Sequence, residues 1–134
     1  MNIDKLNQDV IAILDNKIAL SGLDYSSLDY DELEEALHNK EDALTQDYGS
    51  YLEEALHEVH DEFCPDTDVL LPIAYLPRFA KKEGDDYVVT TADGVYVEVD
   101  DYASEETKLV ILPNPVRIEL MVDTSQREVV WKAE

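Results

Sequence analysis

Pro65 separates two hydrophobic rhythms. Before it, apolar residues recur every three or four positions; after it, they alternate. A period near 3.6 residues builds a helix with one buried face, and a period of two builds a strand. A chain that switches once from the first rhythm to the second folds into segregated helices and strands. The predicted fold class is therefore α+β, with about three N-terminal helices (two of them an acidic helical hairpin) followed by a mostly antiparallel sheet of about five strands. The length of 134 residues suits a single α+β domain over residues 1–134, with a helical half at 1–64 and a β half at 68–132.

The first helix is predicted from about Ile3 to Leu20. Ile3, Leu6, Val10, Ile13, Leu14 and Ile18 share one face, Asn2 is the candidate N-cap, and Ser21-Gly22 is the stop. The second and third helices are expected from about Asp31 to Thr45 and from about Tyr48 to Phe63. Each contains the hexapeptide LEEALH, at Leu33–His38 and Leu52–His57, and each follows an Asp-Tyr pair. The repetition suggests a hairpin whose arms bury Leu33, Ala36, Leu37, Ala43 and Leu44 on one side and Leu52, Ala55, Leu56, Val59 and Phe63 on the other. Two copies are too few for a solenoid.

Beyond Pro65, the run VLLPIAYLP is apolar and broken by proline, as in an edge strand or an extended crossover. Asp93-Gly94 inside DYVVTTADGVYVEVD predicts a tight hairpin, with Val95, Val97 and Val99 inward and Tyr96, Glu98 and Asp100 outward. KLVILP and VRIELMV read as strands joined by PNP, and EVVWK as a last strand after DTSQR.

Charge is distributed as unevenly as structure. The formal net charge is −22, and the stretch Asp24–Asp68 holds 16 carboxylates against the single base Lys40. The 66 residues that follow hold 13 acids and 7 bases. This field repels nucleic acid and anionic membrane, so neither is expected as a direct partner. It favours a basic or DNA-binding protein. Adaptation to high salt or plain solubility is the competing explanation, but that should coat the whole surface rather than one half. Cys64 is the only cysteine, so no internal disulfide forms, and no apolar segment suggests a signal peptide or a membrane span. A cytoplasmic location is the expectation.

No catalytic signature emerges, and a non-enzymatic role without cofactor or metal is expected. Glu35/His38 and Glu54/His57 have the Glu-x-x-His spacing used in di-iron bundles, yet both pairs should face solvent, opposite the leucines. His57 and His60 are three apart, whereas a zincin helix needs four. They could still hold a metal adventitiously. DYDELEE lacks the glycine of an EF-hand, and Cys64 has no neighbouring base to activate it, so it should pack as a small hydrophobe.

The better candidate is an acidic stripe. Asp31, Glu34, Glu35, Glu41 and Asp42 fall on one outward sector, and eleven residue steps of helix cover about 16 Å. The resulting density of roughly one charge per 3–4 Å approaches the spacing of about 3.4 Å along one DNA strand. Glu53, Glu54 and Asp61 would add a second row on the third helix. Five of the eight tyrosines follow aspartate (Tyr25, Tyr30, Tyr48, Tyr87 and Tyr102), and tyrosines among carboxylates could imitate bases beside phosphates. Alternatively, Asp-Tyr marks the start of an element, with the tyrosine as a half-buried anchor.

In being small and very acidic, with helices before an antiparallel sheet, the chain is similar to DNA-mimic inhibitors such as the phage uracil-DNA glycosylase inhibitors. The likeness lies in composition and element order, and no residue is carried over from it. It implies an inhibitor or regulator that acts by protein–protein interaction, with the eight acidic residues above as contacts. Two alternatives stay open: a small structural or assembly subunit, of a phage or a complex, that could form homo-oligomers through Val69–Leu76 and Val129–Trp131, or an immunity protein for a basic toxin.

Overall fold

The computed structural model describes residues 2–24, 26–78, 81–84, 86–90, 92–123 and 126–134. The first helix, α1, spans Ile3–Ser21. The Asn2 side chain accepts from the Lys5 N–H at 2.9 Å, satisfying one of the free donors at the helix start. Leu6, Val10, Ile13 and Leu14 are buried, as their spacing requires, and Gly22 caps the end.

The second helix, α2, is a single element of 34 residues, Tyr30–Phe63. The expected hairpin is therefore corrected to one rod, about 50 Å long at 1.5 Å per residue. Its apolar stripe explains the continuity. Leu44, Tyr48, Leu52 and Leu56 are all buried and follow one another at intervals of four, so the helical phase passes unbroken through the expected turn. Gly49 sits within the rod in helical geometry, and no proline interrupts it before Pro65. Asp29-Tyr30 does open the helix, without a side-chain cap bond, whereas Asp47-Tyr48 lies in its interior. Ala43, expected in the core, is exposed.

The segment after α2 is neither a strand nor an extended crossover. Leu70 and Leu71 are exposed, and Pro72–Tyr75 forms a short 3-10 turn. His60 holds this turn to α2. Its Nδ1 lies 2.9 Å from the Thr67 carbonyl and its Nε2 lies 3.0 Å from the Tyr75 hydroxyl. A carbonyl only accepts, so Nδ1 carries the proton and Nε2 accepts from Tyr75, whose oxygen accepts in turn from the Leu70 N–H.

Six strands are present among the described residues. β1 (Lys81–Glu83) and β2 (Asp86–Val88) make a two-stranded ribbon, while β3 (Val95–Val97), β4 (Thr107–Leu112), β5 (Arg117–Val122) and β6 (Gln126–Lys132) make an antiparallel sheet in that order. The expected pairing of β2 with β3 across Asp93-Gly94 does not form. Asp93 is fully buried, and its carboxylate accepts from the backbone N–H groups of Thr90 at 3.1 Å and Arg78 at 3.0 Å. These bonds tie the segment to a distant part of the chain instead of closing a hairpin. Gly94, at φ +87°, presses against β4: a Cβ there would meet the Leu109 oxygen at 2.7 Å.

The register places Val110, Glu119 and Met121 on one face of the central strands and Leu109, Ile111, Ile118 and Leu120 on the other. All are buried, so the middle of the sheet is covered on both sides. The β1–β2 ribbon bridges to α1, where the Tyr87 hydroxyl donates to Asp15 Oδ1 at 2.6 Å. α2 reaches the other face through Tyr51, which packs edge-on to Trp131 of β6. β6 carries a bulge at Val130, where the register skips between Ile118 and Glu119.

Candidate protein-binding surface on the long helix

α2 carries twelve carboxylates and one base, Lys40. Ten of the twelve are exposed, and Glu41 and Glu53 are half-buried. Among the described residues five ion pairs lie within 4.0 Å, and none involves an α2 carboxylate. Lys40 turns toward α1 instead. With its amide oxygen directed at α2, buried Asn16 accepts from Lys40 Nζ at 3.3 Å and from the Leu37 N–H at 3.2 Å.

Because α2 is one rod, the acidic residues do not form two rows side by side. At 100° per residue, Asp31, Glu34, Glu35, Glu41 and Asp42 occupy one sector about 120° wide, and Glu53, Glu54 and Asp61 lie roughly a third of a turn further round. Packing causes this offset. The first half of α2 packs only a narrow stripe beside α1, with Leu44 buried and Leu33 and Leu37 half-buried. The second half buries the wider face of Leu52, Ala55, Leu56, Val59 and His60, which pushes its charges to the far side. The result is one acidic strip that winds along the helix from Asp31 to Asp61, over about 45 Å.

The eight predicted contact residues thus divide into groups. Asp31, Glu35 and Asp42 point into open solvent near the start of the rod. Glu34 and Glu41 line a cleft of about 430 Å³ with His38, Tyr30, Lys17 and Arg78, where cations answer their charge. Burial holds the Lys17 ammonium below its ordinary pKa, against the opposing pull of Glu41, and Lys17 Nζ donates to the Pro77 carbonyl at 3.2 Å. Glu53 is half-buried, and Asp61 is exposed near the far end. Glu54 borders a separate hollow beside Trp131.

Of the described tyrosines that follow aspartate, only Tyr30 stands among these carboxylates, in the cleft with Glu34 and Glu41. Tyr48 and Tyr87 are buried and Tyr30 and Tyr102 half-buried, which makes them anchors; Tyr25 lies outside the described residues. Both Glu-x-x-His pairs face solvent. His57 is exposed while His60 is buried and bonded on both nitrogens, so the two cannot share an ion. Among the described residues no group of three or more His, Cys, Asp or Glu side chains is arranged to hold a metal. Cys64 is fully buried, which pushes its thiol up to about 11. No described helix is long and apolar enough to cross a membrane.

The sequence reading missed one charged group altogether. Glu119, buried on β5, accepts from Arg117 Nε at 2.6 Å and forms an ion pair with Arg127, whose Nε lies 3.0 Å from Oε1. Arg117 also donates to the Pro113 carbonyl at 2.6 Å. The available signal was a lone glutamate in the apolar strand RIELMV, two residues from an arginine on the same face. No protein-family model, no curated protein and no solved structure matches the chain.

Proposed function

We propose that this chain is a non-enzymatic acidic binding protein, acting in the cytoplasm, that lays α2 along the basic, DNA-facing surface of a partner protein and blocks it. The observation that carries the reading is the density of charge on α2, twelve carboxylates against one base. None of its twelve carboxylates enters the five ion pairs found among the described residues, and they stand at about one per 4 Å of rod, near the spacing of about 3.4 Å along a DNA strand. A single rod keeps that spacing fixed, whereas two short arms would leave it to their mutual packing. Contacts would come from Asp31, Glu34, Glu35, Glu41, Asp42, Glu53, Glu54 and Asp61. Steering by such a field speeds association and makes it sensitive to salt.

The test compares the wild-type chain with the variant Glu34→Lys, Glu35→Lys, Asp42→Lys, Glu54→Lys as baits in nuclease-treated host lysate. The four sites are exposed, so circular dichroism should show an unchanged fold. Recovery of one basic DNA-binding protein by the wild type alone supports the reading; equal recovery by both baits contradicts it. A basic toxin as the captured protein would make the chain an immunity protein. Recovery only of salt-resistant copies of the chain itself would favour an assembly subunit.

A further inference from the structure

Between α2 and the end of β6 lies a hollow of about 260 Å³ lined by Tyr51, Glu54, Ala55, Glu58, Trp131, Lys132 and Glu134. Its helical wall follows from spacing. Residues 51, 54, 55 and 58 stand at i, i+3, i+4 and i+7 and so form one stripe along the rod. Ala55, small and buried, leaves the floor open between larger neighbours. Its other wall is the strand end, and the two walls are fastened together. The Tyr51 and Trp131 rings meet edge-on with centroids 5.6 Å apart. The Tyr51 hydroxyl accepts from the Glu134 N–H at 3.3 Å and donates to the Glu134 carbonyl at 3.4 Å. Both rings are only half-buried, so each keeps surface turned to the hollow.

Two aromatic walls rimmed by carboxylates make a chemically specific combination. The face of an aromatic ring attracts a cation, tryptophan most strongly, and carboxylates nearby add charge and acceptors. Three carboxylates, those of Glu54, Glu58 and Glu134, stand against the single ammonium of Lys132. Lys132 makes no ion pair and no ring contact with these groups among the described residues. The volume falls below the roughly 300–1,000 Å³ usual for sites that take drug-sized molecules. It suits one side chain.

We propose that this hollow receives an arginine side chain of the basic partner, stacked against Trp131 and Tyr51 and hydrogen-bonded to Glu54 and Glu58. Arginine fits better than lysine because its planar guanidinium stacks on a ring while its N–H fork still reaches carboxylates. Desolvated arginines and aromatics are also the residues that dominate binding energy at interfaces. The inference rests on the proposed function for the identity of the partner, but the pocket is testable without that partner.

Trp131 is the chain's single tryptophan, so its fluorescence reports directly on the hollow. The probe is the blocked peptide acetyl-Gly-Arg-Gly-amide, titrated into the full chain beside the same peptide with citrulline, which keeps the shape and removes the charge. A saturable change in Trp131 emission with the arginine peptide alone is the expected result. The double variant Glu54→Gln/Glu58→Gln should weaken binding about tenfold, while Glu34→Gln/Glu35→Gln, with the same loss of charge on the same helix, should change it less than about twofold. An equal response to both peptides, equal weakening by both variants, or no saturable response overturns the proposal. Peptide binding alongside an empty lysate capture would refute the partner reading and leave the pocket standing; the reverse result would refute the pocket alone.

Discussion

Glu119 on β5 and Glu54 on α2 are the same side chain in opposite surroundings. Glu119 is buried and held between two arginines; Glu54 is exposed and forms no ion pair among the described residues. The contrast extends to the halves of the molecule. Seven of the ten bases lie after Val69, two of them paired with Glu119 of the sheet, and α2 has only Lys40 among twelve carboxylates. Charge in the sheet is therefore structural, because a buried carboxylate without a partner would be costly. The carboxylates of α2 enter no ion pair among the described residues and repel one another, which is the observation that supports the proposed binding role.

The largest effect should come from breaking the structural side. Glu119→Ala leaves Arg117 and Arg127 without their shared acceptor and should cost about 3–5 kcal/mol in urea denaturation, whereas Glu54→Ala should stay within about 0.5 kcal/mol. Similar losses at both sites would erase the distinction between the halves. Next in size is Gly94→Ala, which combines a positive φ with a Cβ 2.7 Å from the Leu109 oxygen. Destabilisation of about 2 kcal/mol or more is expected on the same assay.

The α2 side should respond to ionic strength rather than to truncation. Raising sodium chloride from about 0.02 to 0.5 M should add about 1–2 kcal/mol of stability by screening α2's self-repulsion. In the variant Glu34→Gln, Glu35→Gln, Asp42→Asn that gain should shrink. A variant whose gain is undiminished would place the repulsion elsewhere. The smallest effect sharpens the view of α2 as one rod. A Cβ at Gly49 would meet only Thr45 Cγ2 at 3.6 Å, an ordinary contact, so Gly49→Ala should stabilise the protein by about 0.5–1 kcal/mol. A loss instead would point to a backbone at Gly49 that is not helical.

What the sequence reveals follows the range of the interactions involved. α1, β4, β5 and β6 are legible because their caps, alternation and turns lie within a few residues of one another. The unity of α2 was legible too, in the interval of four linking Leu44, Tyr48, Leu52 and Leu56, but the second Asp-Tyr pair imitates a new helix start. β1 and β2 have three residues each and bury only Tyr87, too little for a period to register. Asp93-Gly94 carries hairpin chemistry, yet one of its decisive partners, the Arg78 N–H, is fifteen positions away. The acidic density of the candidate surface could be read directly. Its shape could not, because sectors that face together on two antiparallel arms wind around a single rod. The hollow at Trp131 was invisible for the same reason: Tyr51 lies eighty residues earlier in the chain.

The most direct measurement of the central claim is competition. The captured partner, bound to the immobilised chain at low salt, is challenged with duplex DNA and, separately, with about 0.5 M sodium chloride, where the Debye length falls to a few ångströms. Release by both is the result expected if α2 occupies a phosphate-binding surface. A partner retained through both treatments would mean that apolar contacts hold the complex, and that the charge of α2 is not what binds.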